Sequence, residues 1–224
     1  MTRLYGLLIG LALPASVLHA QQAIAERLAG RVSPEIAVLV QELGSAAARR
    51  GLPVEPMIQK ALEGNAKAIP TERVASAIRG VVAQLDSAAA ALRDAGVASP
   101  VDTLEIAAGG FAITAGLRGR DIAELARTGR PTSDVIVGLR VAGTLAAMGV
   151  PREETVKLVG TSLRAQQAPG ELLALPGRVQ SAMARGATPA QAAAGLARAA
   201  AAQSRHGPPP ERGRPPHAPV PPHP

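Results

Sequence analysis

Two carboxylate pairs invite an acid–base reading in the body of this chain: Glu153 with Glu154, and Asp102 with Glu105. A hydrolytic site of that kind needs two acidic groups converging on one bond. Glu153 and Glu154 are neighbours, and neighbours on a helix point about 100° apart. Both follow Pro151, so they fall in a first helical turn, where negative charge is favoured by the helix dipole. Asp102 and Glu105, behind Ser99-Pro100, take the same reading. The pattern predicts helix starts rather than a catalytic pair. An enzyme working with carboxylates alone is the least favoured function class.

The other chemical side chains are missing or misplaced. The chain has no cysteine, which removes disulfides, thiolate nucleophiles and thiolate metal sites. No histidine lies between residues 21 and 203, so Ser-His-Asp and Cys-His arrangements cannot be assembled there. His206, His217 and His223 sit in a proline-rich end, loosely spaced, with nothing to orient their rings as metal ligands. No phosphate-binding glycine loop follows a strand pattern. The expectation is therefore no catalytic residue, no cofactor and no metal ligand. Gly109-Gly110-Phe111 falls inside a helical segment, where each glycine costs about 1 kcal/mol relative to alanine. Close approach of a neighbouring helix, or a break in the segment, would offset that cost.

Charge narrows the partners. Lys and Arg number 24 against 17 Asp and Glu, a formal net charge of +7. Lysine occurs only at 60, 67 and 157, the acids are interspersed, and no basic run exceeds Arg49-Arg50. Phe111 is the only aromatic residue after the first twenty. Nucleic-acid binders show a basic stripe, and single-strand binders add stacking rings. No nucleic-acid partner is expected, and a sugar cleft without aromatic platforms would be unusual.

The elements that carry these residues read as helix after helix, with no alternating run long enough for a strand. Ser33-Pro34 opens a segment with Ile36, Leu39, Val40, Leu43 and Ala47 on one face. From about Pro70 to Ala95, Val74, Ile78, Val81, Leu85, Ala89 and Leu92 recur at three- and four-residue steps. Pro131 to Met148 is apolar nearly all round and predicts the most buried helix. Gly51-Leu52, Gly96-Val97, Gly149-Val150 and Gly186-Ala187 each end a helix with glycine and an apolar residue. A restart comes after each: Pro53, Ser99-Pro100, Pro151 and Thr188-Pro189, with Thr188 and Gln191 at capping-box spacing. A faint internal duplication aligns Ile58–Gly64 with Ile122–Gly129, Val74 with Val135, Ile78 with Leu139 and Arg79 with Arg140.

The ends differ in character. Residues 1–20, MTRLYGLLIGLALPASVLHA, have a basic start, an apolar run and a small residue at Ala20, the pattern of a signal peptide. Retention as an uncleaved anchor is the alternative, since Leu18 sits where a small residue is preferred. From Ser204 proline dominates, and the expectation for 204–224 is a disordered, Pro/His/Arg-rich tail. The organisation expected is thus a signal peptide over 1–20, an all-helical domain over 21–203 and the tail. The fold class is all-α, built of stacked helical hairpins, either an irregular α-solenoid-like array or a compact bundle. The function expected is that of an exported protein, periplasmic or secreted. It would be non-catalytic and bind a protein or cell-envelope partner through its helix surface. A membrane-surface protein with amphipathic helices is the alternative, weakened by the lack of Trp and Phe anchors.

Overall fold

The computed structural model describes residues 24–206 of the chain. The signal-peptide reading, and the tail reading beyond residue 206, lie outside the described residues. After a helical turn at 24–28 come ten helices. They are α1 (Pro34–Arg49), α2 (Glu55–Ala66), α3 (Thr71–Asp94), α4 (Thr103–Thr114) and α5 (Gly119–Ala126). Next are α6 (Thr132–Ala147), α7 (Arg152–Arg164), α8 (Pro169–Leu173), α9 (Leu175–Ala184) and α10 (Pro189–His206). No strand occurs among the described residues, so the fold is all-α. The last helix continues through His206, past the boundary at 203 that composition suggested.

Helices pack on near neighbours in the chain. α1 and α2 touch each other and α3, and make no substantial contact beyond it. α3 supports α4 and α5, α4 lies most extensively on α6, and α5 reaches α7. α6 carries α8 and α9, and α7 carries α10. The chain therefore builds an all-helical stack of neighbouring helices, within the bundle or array expected.

Local signals explain where the helices begin and end. Ser33 caps α1, its Oγ accepting from the Ile36 amide at 3.4 Å. Thr188 and Gln191 form the reciprocal pair expected of them, at 3.2 and 3.0 Å. At Gly51, Gly96, Gly149 and Gly186 the backbone turns left-handed. The amides of Leu52, Val97, Val150 and Ala187 then bond back to Ala47, Leu92, Leu145 and Ala182. Gly116-Leu117 ends α4 in the same way. So do Ala68-Ile69 after α2 and Gln166-Gln167 after α7, although Ala68 (φ 51°) and Gln166 (φ 55°) are not glycine. One start differs from expectation. α4 begins at Thr103, not at Pro100, because Asp102 Oδ1 accepts from the Leu104 amide at 2.7 Å and forms the cap.

The amphipathic stripe of α3 faces the core as its spacing predicts, with Val74, Ile78, Leu85, Ala89 and Leu92 buried. α6 buries eight of its 16 residues, and the shorter α7 buries seven of its 13. α6 is therefore not the most buried helix, since α7 buries a larger share of its residues and α4, with six of 12 buried, an equal one. Three of the pairs aligned by the internal duplication match in environment, while Gly64 is buried in a helix and Gly129 is exposed in a left-handed turn. Val74 and Val135 are buried, Ile78 and Leu139 fully so, while Arg79 and Arg140 face water. The corresponding helices differ in length, 24 residues in α3 against 16 in α6.

Glycine also sets how closely helices meet. A Cβ on Gly109 would lie 3.0 Å from Ala88 Cβ, and one on Gly110 would lie 2.8 Å from Leu85 Cδ2. The pair therefore seats α4 on α3 within one unbroken helix. On its other side α4 meets Gly143 of α6, where a Cβ would fall 2.6 Å from the Phe111 ring and 3.2 Å from Ala112 Cα. Contact at this range suits a core made almost wholly of Ala, Val, Leu and Ile.

The links and crossings can be tested by substitution. Ala68→Gly and Gln166→Gly each remove a side chain from a left-handed position and should stabilise the fold by about 1 kcal/mol. The expected rise in Tm is about 2–4 °C each; unchanged melting in both variants would mean the left-handed turns carry no strain. Gly143→Ala should destabilise by about 1–2 kcal/mol through overpacking. In a double-mutant cycle, Phe111→Ala should relieve part of that loss, and strict additivity would rule out the direct clash.

Candidate functional site

The carboxylates singled out in the sequence are distributed, not gathered. Glu153 is solvent-exposed in the first turn of α7 and pairs with Arg152 at 3.6 Å. Its neighbour Glu154 is half-buried, with one carboxylate oxygen lacking a hydrogen-bond partner. Asp102 caps α4. Helices α4 and α7 do not pack directly on each other, so the two pairs do not converge. Among the described residues no group of three or more Asp, Glu or His is arranged to hold a metal ion. His217 and His223 lie outside the described residues, and His206 ends α10.

Glu105 corrects the sequence reading. It belongs to the first turn of α4, as expected, yet it is only 1 % exposed and one of its oxygens has no hydrogen-bond partner. Burial, and then the nearby charge of Asp102, push its carboxyl above the ordinary glutamate range. It is the sole ionisable residue of α4, and it points inward.

The helix that contains it is unusual on its opposite side as well. The sequence of α4, TLEIAAGGFAIT, is apolar all round, a pattern that normally means complete burial. Here α3, α5 and α6 cover much of it, but Leu104 remains 56 % exposed and Phe111 46 % exposed. Ala107, half-buried, lies between them. Positions 104, 107 and 111 are three and four residues apart and form one line along the helix.

A groove of about 270 Å³ runs beside this line, between α2, α3 and α4. Val81, Leu85 and Gly110 contribute its apolar surface; Gln59, Lys60, Glu63, Gln84 and Thr114 contribute polar groups. The Thr114 hydroxyl donates to the Gln84 side-chain oxygen at 2.7 Å, tying α4 to α3 at the rim. On the far side the Phe111 ring rests over Gly143. Phe111 is thus held by α6 and presented to solvent, while the groove opens on its other flank. Aromatic residues with an apolar surround and polar rim are the usual anchors of protein contacts.

The remaining surface depressions are of a different kind. The one between α5 and α7 mixes Arg120, Arg127, Arg152 and Lys157 with Asp121, Glu124 and Glu153. Asp121 accepts from the Arg118 amide at 2.8 Å and pairs with Arg152 at 3.5 Å. That region is a lattice of caps and ion pairs. Elsewhere, Arg27 with Glu55 and Arg50 with Asp86, the latter at 2.7 Å, are exposed pairs, while Arg130 with Asp134 at the start of α6 is largely buried.

The exposed line on α4 was missed in the sequence, because the all-round apolar pattern does not mark which side stays open. Leu104 and Phe111 stand seven residues apart in a helix with no outward charge. No family model matches the chain, and neither a curated protein nor a solved structure matches it.

The buried carboxyl supplies a test. Its folded-state pKa is raised, so the folded protein holds the proton over the window in which the unfolded chain releases it. Stability from this group is therefore full below the ordinary glutamate range and is lost as pH rises through the folded value. Glu105→Gln should be more stable than the parent at pH 7, on the order of 1 kcal/mol. The gap should close near pH 4; equal stability at both pH values would show that Glu105 is not desolvated.

Proposed function

We propose that this is an exported, non-catalytic helical protein that binds another protein, or a component of the cell envelope, through its helix surface. The observation that carries the reading is the exposed apolar line of α4. A helix without outward charge costs solubility, and an uncovered apolar line of this kind supports a binding role. The acidic groups support the same view, because Asp102, Asp121 and Glu153 serve caps and ion pairs. Export rests on the character of residues 1–20. The membrane-surface alternative has less support. No helix among the described residues is long and apolar enough to cross a membrane. The other exposed large apolar residues, Val38, Ile69 and Leu173, lie on separate elements.

The test is made in cells producing the full chain with photo-crosslinking residues placed singly at Thr114, Lys157 and Arg178. The recovered protein should begin at Gln21, and at least one position should yield a reproducible protein or envelope-polymer adduct. Retention of residues 1–20 on cytoplasmic protein would defeat export. Absence of adducts from all three positions would defeat binding, and adducts to lipid alone would transfer the function to a membrane surface.

A further inference from the structure

We infer that the outward line of α4 docks a short segment of another protein, apolar along one edge and acidic beside it. This rests on the binding reading above and gives it a place and a partner chemistry.

The apolar part comes from α4. Its only ionisable residue, Glu105, is inside the molecule, and Leu104, Ala107 and Phe111 line up on the outside. The line is about 10 Å long, seven residues at the rise of a helix, which matches about two turns of a partner helix. The Phe111 ring lies across Gly143, so it is pre-positioned and loses little freedom on binding. The short line also argues against a second copy of this chain as the occupant. A stable dimer needs about 800 Å² from each partner, far more than three side chains and a shallow groove offer.

The acidic part comes from the borders. On the α2 side, Lys60 and Lys67 share the single carboxylate of Glu63, at 2.7 and 2.6 Å, which leaves one positive charge in excess. On the α6 side, Arg140 is exposed, carries no ion pair among the described residues, and precedes Gly143 by three positions on the same side of the helix. Asp102, exposed two residues before Leu104, sets one negative charge at the N-terminal end of the line, so the cationic excess lies only along its α2 and α6 borders. Acidic side chains beside apolar anchors would complement them and speed association.

The experiment pans a random 12-residue phage-displayed peptide library on the folded, immobilised full chain. Enriched peptides should carry apolar residues at helical three- and four-residue spacing with an excess of Asp and Glu. Synthetic copies should bind about tenfold more weakly to Phe111→Ala, and to Ala107→Arg, a change at a half-exposed position that leaves the core untouched. Circular dichroism and melting confirm that each variant folds. Arg140→Glu should weaken binding as well, and raised salt should do so in the parent. No enrichment, enrichment of basic peptides, or binding indifferent to Phe111 and Ala107 overturns the inference. Vesicle pelleting that depends on Phe111 would assign the face to lipid instead. Adducts from Lys157 or Arg178 with failed panning would leave the broader binding reading intact and remove this one.

Discussion

Close contact between helices, made possible by absent side chains, is the constraint on which this structure depends. The chain has no disulfide and one aromatic residue after the first twenty, so neither covalent links nor large rings hold the layers together. Aliphatic groups must supply nearly all of the apolar burial. Dispersion falls away steeply with distance, so small side chains contribute only when backbones come near. Gly109 and Gly110 bring α4 onto α3, Gly143 of α6 admits Phe111 and the backbone of α4, and Gly138 receives Leu163 of α7. The conformational cost of glycine inside a helix is offset at these crossings by packing that alanine would block.

The links impose the second regularity. Seven helix ends share one hydrogen-bond arrangement, in which a left-handed residue is followed by an amide that bonds back five positions into the helix. Each such end turns the chain sharply and starts the next helix beside the last. Repeated along the sequence, a local turn produces a stack whose contacts are mostly between near neighbours. Such a molecule resembles a repeat protein energetically, each layer being stabilised by the ones beside it. α4 is central to that chain of support, because it joins the α1–α3 end to α6 and the later helices.

Much of this architecture was legible in the sequence for the reason that it is local. Ser33, the Thr188–Gln191 pair and the four glycine–apolar links act through hydrogen bonds within a few residues, and all perform as their spacing predicts. The stripe of α3 was equally clear, since period alone identifies its buried face. Ala68 and Gln166 were not legible as left-handed turns, because neither residue type favours that conformation and tertiary packing overrides the preference. Glu105 was misread for a related reason. Its position in a first turn is a local property, whereas its burial depends on α3, α5 and α6 arriving around α4. The exposed line on α4 is also a property of assembly: an all-round apolar helix gives no hint of which side its neighbours will leave open.

That open side bears on why α4 has the composition it does. A helix needed only as a spacer between α3 and α6 would carry polar residues wherever neighbours fail to cover it, as α3 does at Arg73, Ser76 and Ser87. Leu104 and Phe111 stand instead at positions where a polar side chain would cost the fold little, since each is about half in solvent. Phe111 does pack on Gly143, but that contact uses one flank of the ring. The exposed flank adds nothing to the stability of the isolated chain and lowers its solubility. Packing therefore accounts for the inner faces of α4 and leaves its outer face without a structural reason. The partner proposed above would supply one, because burial of the same two side chains would then stabilise the complex.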